Sequence, residues 1–102
     1  MTPWELEVCT SAIETYGVDH QLVVYMEELA ELTKEITKHI RGRDNLPQIA
    51  EEIADVEVML EQLKIMFGLK KAVPEIARAK LVRLQKRITK HRGARQCNTT
   101  AK

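Results

Sequence analysis

Two pairs of acidic residues lie in segments with the pattern of amphipathic helices, and within each pair the spacing is three. The first pair is Glu28 and Glu31, and the second pair is Glu52 and Asp55. Residues three apart are neighbours on one helix face, so each pair would present two carboxylates side by side. Grouped carboxylates either bind a hard divalent cation or exchange protons with a substrate.

The second pair interrupts the apolar face of its helix. At about 100° per residue, Glu52 falls inside the apolar arc that contains Val56, Met59 and Leu63, and Asp55 falls at its edge. A half-buried carboxylate without a partner is costly, and clustered carboxylates repel one another. We therefore expect protonation, basic side chains or a metal ion to neutralise this face.

The first pair lies beside an apolar arc of its own helix, which contains Leu29, Leu32 and Ile36. Antiparallel pairing of the two helices would bring all four carboxylates together. An oxygen-only set without histidine or cysteine favours Mg²⁺, or Mn²⁺, over zinc. The alternative is that these acids line a solvated groove or pair with basic residues of the last helix.

The two motifs read Glu28-Leu-Ala-Glu31 and Glu52-Ile-Ala-Asp55, and 20 residues separate them. An ExxE motif followed by an ExxD motif on the next helix resembles the MazG-like, all-α nucleoside triphosphate pyrophosphohydrolases, over about residues 18–90. The resemblance implies that the four carboxylates bind Mg²⁺. It further implies cleavage of a ribo- or deoxyribonucleoside triphosphate between the α- and β-phosphates, with Glu31 or Glu52 as the catalytic base.

Helix start and stop signals predict four helices, and no segment has the alternation of a strand. We expect Thr2 and Glu5 to form a capping box, Gly17 to end the first helix and Asp19 to cap the second. The predicted helices cover about residues 3–16, 20–41, 46–67 and 73–92. This pattern predicts a single all-α domain over residues 1–93, a four-helix MazG-like bundle, followed by a flexible C-terminal tail over residues 94–102.

Charge is distributed unevenly along the chain. Residues 1–69 contain 14 Asp and Glu against 5 Lys and Arg, whereas residues 70–102 contain 11 Lys and Arg against a single acid, Glu75. Such a basic third is typical either of a segment that binds nucleic acid or of one that holds an anionic substrate.

Basic residues on two helices are candidate contacts for a triphosphate. Lys80, Arg83 and Arg87 fall within about 60° of one another on the last predicted helix, and Lys34 follows Glu31 by three residues. Lysine and arginine side chains form charge-assisted hydrogen bonds with phosphate oxygens. The alternative is an ordinary amphipathic surface, on which the aliphatic stems cover apolar area.

A different class of function also fits the basic third: a non-enzymatic helical module that binds nucleic acid or a protein partner. Aromatic residues for base stacking make up only 4% of the sequence, and no glycine-rich helix-turn-helix turn is present. This alternative leaves the inward-facing Glu52 and Asp55 unexplained. A carboxylate di-iron bundle would need Glu-x-x-His pairs, which this sequence lacks.

Two of the predicted helices have a second apolar face. The residues on these faces are Val23, Met26 and Ala30 on the second helix, and Ala54, Val58 and Ile65 on the third. One small bundle cannot bury both sides of two helices, so we expect a homo-oligomer. The family resemblance likewise implies a dimer or a tetramer.

The remaining features point to a cytoplasmic protein without a membrane partner. No uncharged run approaches the ~20 residues that span a bilayer, and the N-terminal segment MTPWELEVC has no signal-peptide pattern. Cys9 and Cys97 lie near opposite ends of the sequence and form neither a disulfide framework nor a zinc site. We therefore expect a reducing compartment.

Overall fold

A computed structural model describes the backbone of residues 1–100 and the side chains of residues 1–94. Over the described residues its regular secondary structure is all α-helix, with no strand. The helices are α1 (Pro3–Tyr16), α2 (Val18–Ile40), α3 (Leu46–Met66) and α4 (Ala72–Thr100). The prediction of an all-α protein with four helices is confirmed.

The ends of α1 follow the local sequence signals. The backbone N–H of Glu5 donates to Oγ1 of Thr2 at 3.2 Å, and the Thr2 hydroxyl donates to Oε1 of Glu5 at 3.1 Å. Gly17 ends the helix with a φ of 89°, which glycine adopts without steric strain. The N–H of Gly17 donates to the carbonyl oxygen of Ile13 at 2.8 Å.

The start of α2 differs from the prediction. Asp19 was expected to cap this helix, but Gly17 is the N-cap residue and α2 begins at Val18. The positive φ of Gly17 turns the chain within one residue, so α1 and α2 are joined without a loop in which Asp19 could stand. Asp19 lies instead in the first turn of α2, where a negative charge interacts favourably with the helix dipole.

Helix α3 begins and ends close to the predicted positions, with Asn45 as its N-cap and Phe67 as its C-cap. Helix α4 starts at Ala72, but its backbone continues to Thr100, past the predicted end near Gly93. A single glycine costs a helix about 1 kcal/mol relative to alanine, which does not suffice to end it. The predicted flexible tail comprises residues 94–102, and the side chains of residues 95–102 lie outside the described part of the chain.

The chain divides into two compact units, Met1–Leu69 and Lys70–Lys102. In the first unit α2 and α3 pack against each other, and α1 packs on both. The second unit contains α4. That residues 1–93 form one domain stays a prediction. Among the described residues, no helix has the length and apolar character needed to cross a membrane.

The first unit has a small core with an unusual share of polar side chains. Its buried apolar residues are Cys9, Val56 and Met59, and its buried polar residues are Gln21, Asn45 and Gln62. Apolar side chains of the predicted second faces are exposed, among them Val23, Met26 and Val58. The buried side chains of α2 and α3 thus include the polar Gln21 and Gln62 beside the apolar Val56 and Met59.

Candidate functional site

Polar side chains recur along the contact between α2 and α3 at spacings of seven residues, and Glu52 and Asp55 are three apart. They are Gln21, Glu28 and Glu35 on α2, Asn45 at the N-cap of α3, and Glu52, Asp55 and Gln62 on α3. Seven residues make almost two helical turns, so residues at this spacing share one side of a helix. We call this row the polar seam.

Two hydrogen bonds show that the helices run antiparallel along the polar seam. Gln21, in the first turn of α2, bonds to Gln62 in the last turns of α3. Asn45, at the start of α3, bonds to Glu35 near the end of α2. The antiparallel pairing that the acidic motifs require is therefore present.

Three carboxylates meet in the middle of the polar seam. One oxygen each from Glu28, Glu52 and Asp55 can be chosen so that all three lie within 4.8 Å of one another. Glu28 and Glu52 are half-buried, whereas Asp55 is exposed. Three of the four predicted metal-binding residues thus form one group, which we call the central cluster.

No basic side chain among the described residues forms an ion pair with the central cluster. The ion pairs of α2 and α3 join Lys38 to Glu35 at 3.1 Å and Lys64 to Glu61 at 3.5 Å. Both lysines therefore neutralise carboxylates outside the cluster. Oε2 of Glu52 is buried and has no hydrogen-bond partner in the part of the chain that the structure describes.

Burial and mutual repulsion raise pKa values within the central cluster. Desolvation is the largest cause that raises the pKa of Glu28, followed by the charge of Asp55 and a hydrogen bond to Asp55. Desolvation also leads in raising the pKa of Glu52, followed by the charges of Asp55 and Glu31. The negative forms of these groups are thus disfavoured unless a proton or a cation compensates them.

Glu31 lies at the border of the central cluster rather than in it. Its side chain is exposed, and it is not among the three residues whose oxygens share the 4.8 Å group. Its charge nevertheless raises the pKa of both Glu28 and Glu52. Its assignment as a metal ligand or catalytic base stays a prediction.

The basic residues predicted to bind substrate lie on two different helices. Lys34 is exposed on α2. Lys80, Arg83 and Arg87 are exposed residues of α4, which belongs to the second unit. Their contact with a triphosphate stays a prediction.

Sequence reasoning did not predict that amide side chains close the polar seam at both ends. Nε2 of Gln21 donates to Oε1 of Gln62 at 2.8 Å, and the two residues are only 5% and 4% exposed. Nδ2 of Asn45 donates to Oε2 of Glu35 at 2.7 Å. The signal that could have found them is their spacing of seven residues from the acidic motifs.

The donor set of the central cluster fits a hard divalent cation. It consists only of carboxylate oxygens, which Mg²⁺ prefers, and contains no histidine or cysteine of the kind that zinc sites use. The buried Oε2 of Glu52 lacks the partner that a buried charged oxygen needs.

Comparisons of the chain with protein-family models, with curated proteins and with solved structures found no match. The resemblance to MazG-like enzymes is therefore carried by the two acidic motifs and their spacing. The function has to be inferred from the chemistry of the polar seam.

Proposed function

We propose that the protein is a Mg²⁺-dependent nucleoside triphosphate pyrophosphohydrolase. It would cleave a ribo- or deoxyribonucleoside triphosphate between the α- and β-phosphates and release a nucleoside monophosphate and pyrophosphate. The observation that carries the proposal is the meeting of Glu28, Glu52 and Asp55, from two helices, without a basic partner. The ExxE and ExxD motifs on consecutive helices support the same reading.

The carboxylates would have two tasks in this reaction. Glu28, Glu52 and Asp55, with Glu31 beside them, would hold Mg²⁺ or Mn²⁺. Bound there, the cation would offset the charge of the triphosphate and lower the pKa of a water molecule. In our proposal the cluster is open to this ion because Lys38 and Lys64 pair with Glu35 and Glu61.

A carboxylate would also act as the general base, and we propose Glu31 or Glu52. It takes a proton from the attacking water, whose oxygen bonds to phosphorus. The bond between phosphorus and the oxygen that bridges the α- and β-phosphates breaks, and pyrophosphate leaves.

Basic side chains would bind the phosphates that the carboxylates cannot approach. We propose Lys34 of α2 and three residues of α4, Lys80, Arg83 and Arg87, for this role. Arginine forms paired hydrogen bonds with phosphate oxygens, whereas lysine acts as a point charge.

The active form in this proposal is a cytoplasmic homo-oligomer, either a dimer or a tetramer. Val23 is 49% exposed, Met26 is 59% exposed and Val58 is 44% exposed. A second copy would remove these apolar side chains from water, which favours association.

The proposal is tested by incubating the purified protein with each common ribo- and deoxyribonucleoside triphosphate and Mg²⁺, with separation of the products by ion-exchange chromatography. We expect monophosphate and pyrophosphate in equal amounts, and no turnover in EDTA. The Glu52→Gln variant should lose activity by a factor of at least about 100, the lower range for loss of a general base.

The matched control is Glu57→Gln, which removes the same charge from an exposed position of α3 outside the central cluster. It should retain wild-type turnover. Release of orthophosphate, or equal activity of the two variants, would contradict the proposal.

The basic helix α4 supports one competing function, a module that binds nucleic acid. Its exposed Lys80, Arg83 and Arg87 would then contact phosphates of the nucleic acid backbone. Such binding weakens steeply with salt and needs no divalent cation. Salt-sensitive binding of DNA or RNA in EDTA, without hydrolysis of any nucleotide, would favour this function over the enzyme.

A further inference from the structure

The hydrogen bond between Gln21 and Gln62 crosses the polar seam two turns away from the central cluster. Gln21 precedes Glu28 by seven residues on α2, and Gln62 follows Asp55 by seven residues on α3. The bond therefore lies about 10 Å from the cluster along both helices. Nε2 of Gln21 and Oε1 of Gln62 are 2.8 Å apart.

Stability alone does not explain a buried amide pair in a helix interface. Replacing both partners of a buried hydrogen bond by apolar groups of similar shape is often neutral or stabilising. Removing one partner and leaving the other buried without a hydrogen bond is costly. Gln21 and Gln62 are 5% and 4% exposed, so neither can turn to water when the other moves away.

The cost of leaving one buried glutamine unpaired favours one alignment of α2 and α3 over alignments shifted by a helical turn. If α3 slipped by four residues, about one turn, Gln21 would face Met66 or Val58 instead of Gln62. Neither side chain replaces an amide partner, so the slipped alignments leave buried polar atoms unpaired. A seam made only of aliphatic residues would tolerate the same slip.

The central cluster needs such a device because charge repulsion alone does not fix the native alignment. Three carboxylates with oxygens within 4.8 Å repel one another when they are ionised. A slip of four residues separates Glu28 from Asp55 but places Glu52 opposite Glu35 or Glu27, so like charges do not select the native register. A polar pair that penalises sliding therefore keeps Glu28 next to Asp55.

We propose that the Gln21–Gln62 hydrogen bond fixes the register of α2 against α3 and thereby holds Glu28 next to Asp55. Both glutamines are then positioning residues of the metal-binding site, a role that rests on the proposed function. The register that they impose exists with or without a cation. Buried polar residues that select one register are best documented in coiled coils.

The test compares the double variant Gln21→Met/Gln62→Met with the unchanged sequence. Methionine keeps the unbranched shape of glutamine but removes the hydrogen bond between the helices, together with the bonds of Gln21 to His20 and of Gln62 to Met59. The matched control is Gln48→Met, at an exposed glutamine of α3. A second double variant, Gln21→Leu/Gln62→Leu, repeats the experiment with a different apolar shape.

Register is measured by pulsed EPR between spin labels on the full chain. The labels are attached through Asp19→Cys and Glu51→Cys, both at exposed positions and far apart along the helix axes, so that a slip changes the distance between them. Cys97→Ser removes a competing thiol, while Cys9, 4% exposed, is retained. The measurement is made in EDTA, so that no metal is bound. The labelled protein is diluted with unlabelled protein, so that only distances within one chain are detected. Calorimetric titration with MgCl₂ then gives the Mg²⁺ affinity.

We expect one narrow distance in the unchanged sequence and in Gln48→Met. In Gln21→Met/Gln62→Met we expect a second population displaced by about 5 Å, one helical turn. The Mg²⁺ affinity of this variant should fall about tenfold, as for the loss of groups that orient metal ligands. Its melting temperature without metal should be equal or higher.

A narrow, unchanged distance in both double variants would overturn the inference, and so would a failure of both to fold. If the unchanged sequence does not bind Mg²⁺, the proposed function fails, and the distance distribution alone decides whether the glutamines set the register. The two failures are therefore distinguishable.

Discussion

Asn45, the residue that precedes α3, is bonded to Glu35 near the end of α2. Its Nδ2 donates both to the carbonyl oxygen of Glu35 at 2.9 Å and to Oε2 of the same residue at 2.7 Å. Lys38 donates to the other carboxylate oxygen at 3.1 Å. These partners lower the pKa of Glu35, with Asn45 as the largest cause and Lys38 next. The bond closes the polar seam at the end opposite to Gln21 and Gln62.

We predict that Asn45→Ala destabilises the fold. The variant removes both bonds to Glu35 from a side chain that is only 7% exposed. The free energy of unfolding should fall by about 1–3 kcal/mol, the range for loss of a buried hydrogen-bond partner. Urea denaturation measures the effect. Asp44→Ala, at an exposed neighbour, should change the free energy by less than about 0.5 kcal/mol, and equal effects of the two variants would refute the prediction.

We predict that Glu52→Gln preserves or raises thermal stability in the absence of metal. The substitution removes a charge that Asp55 and Glu31 repel, while the size of the side chain stays the same. Thermal melts in EDTA, followed by circular dichroism, measure the effect. Glu57→Gln should leave the melting temperature near its wild-type value. Loss of the fold in Glu52→Gln would show that Glu52 has a structural role instead.

The stability of the metal-free protein should rise as the pH is lowered from neutrality. The pKa values of Glu28 and Glu52 are raised in the folded state above the ordinary value of 4.5. Between 4.5 and the raised pKa, the folded state binds more protons than the unfolded state, so falling pH favours folding there.

Glu35 has the opposite effect, because its pKa is lowered in the folded state. Its stabilising contribution is present above its ordinary pKa and is lost as the pH falls through the lowered value. Melting temperatures in EDTA should therefore pass through a maximum on the acidic side of neutrality. In Glu52→Gln the rise towards this maximum should be smaller. A melting temperature that falls steadily from neutral pH downward would count against the raised pKa values.

Mg²⁺ should stabilise the folded protein if the central cluster binds it. At a free concentration of 100 times Kd, the gain in the free energy of unfolding is about 2.7 kcal/mol. Thermal melts with and without MgCl₂ measure this gain. Asp55→Asn and Glu28→Gln should abolish most of it, and Glu57→Gln should retain it. A gain that is the same in all three variants would place the ion elsewhere.

We predict that the protein forms a homo-oligomer through its exposed apolar faces. Met26→Lys and Val58→Lys introduce charges at two of these positions and should shift the mass in solution towards that of a monomer. Light scattering coupled to size-exclusion chromatography measures this mass. Glu27→Lys, at an exposed position of α2 that is already charged, is the control. A monomeric wild-type protein at micromolar concentration would contradict the prediction.

Helix ends were predictable where a local signal dominates. Thr2 bonds within three residues of its own position, and Gly17 ends α1 by its own backbone conformation. The predictions failed at Asp19 and Gly93, where another effect outweighed the local signal. A one-residue turn left Asp19 inside α2, and the cost of one glycine did not end α4.

The amino-acid sequence by itself determined that the protein is helical, that there are four helices, and that two acidic motifs lie on neighbouring helices. These features depend on periodicity and on contacts between residues a few positions apart. Only the tertiary structure decided that Glu28, Glu52 and Asp55 share one space while Glu31 stands at its border. It also decided that Gln21 meets Gln62 across 41 residues. The register of two packed helices sets such distances, and patterns among residues close in the sequence do not determine that register.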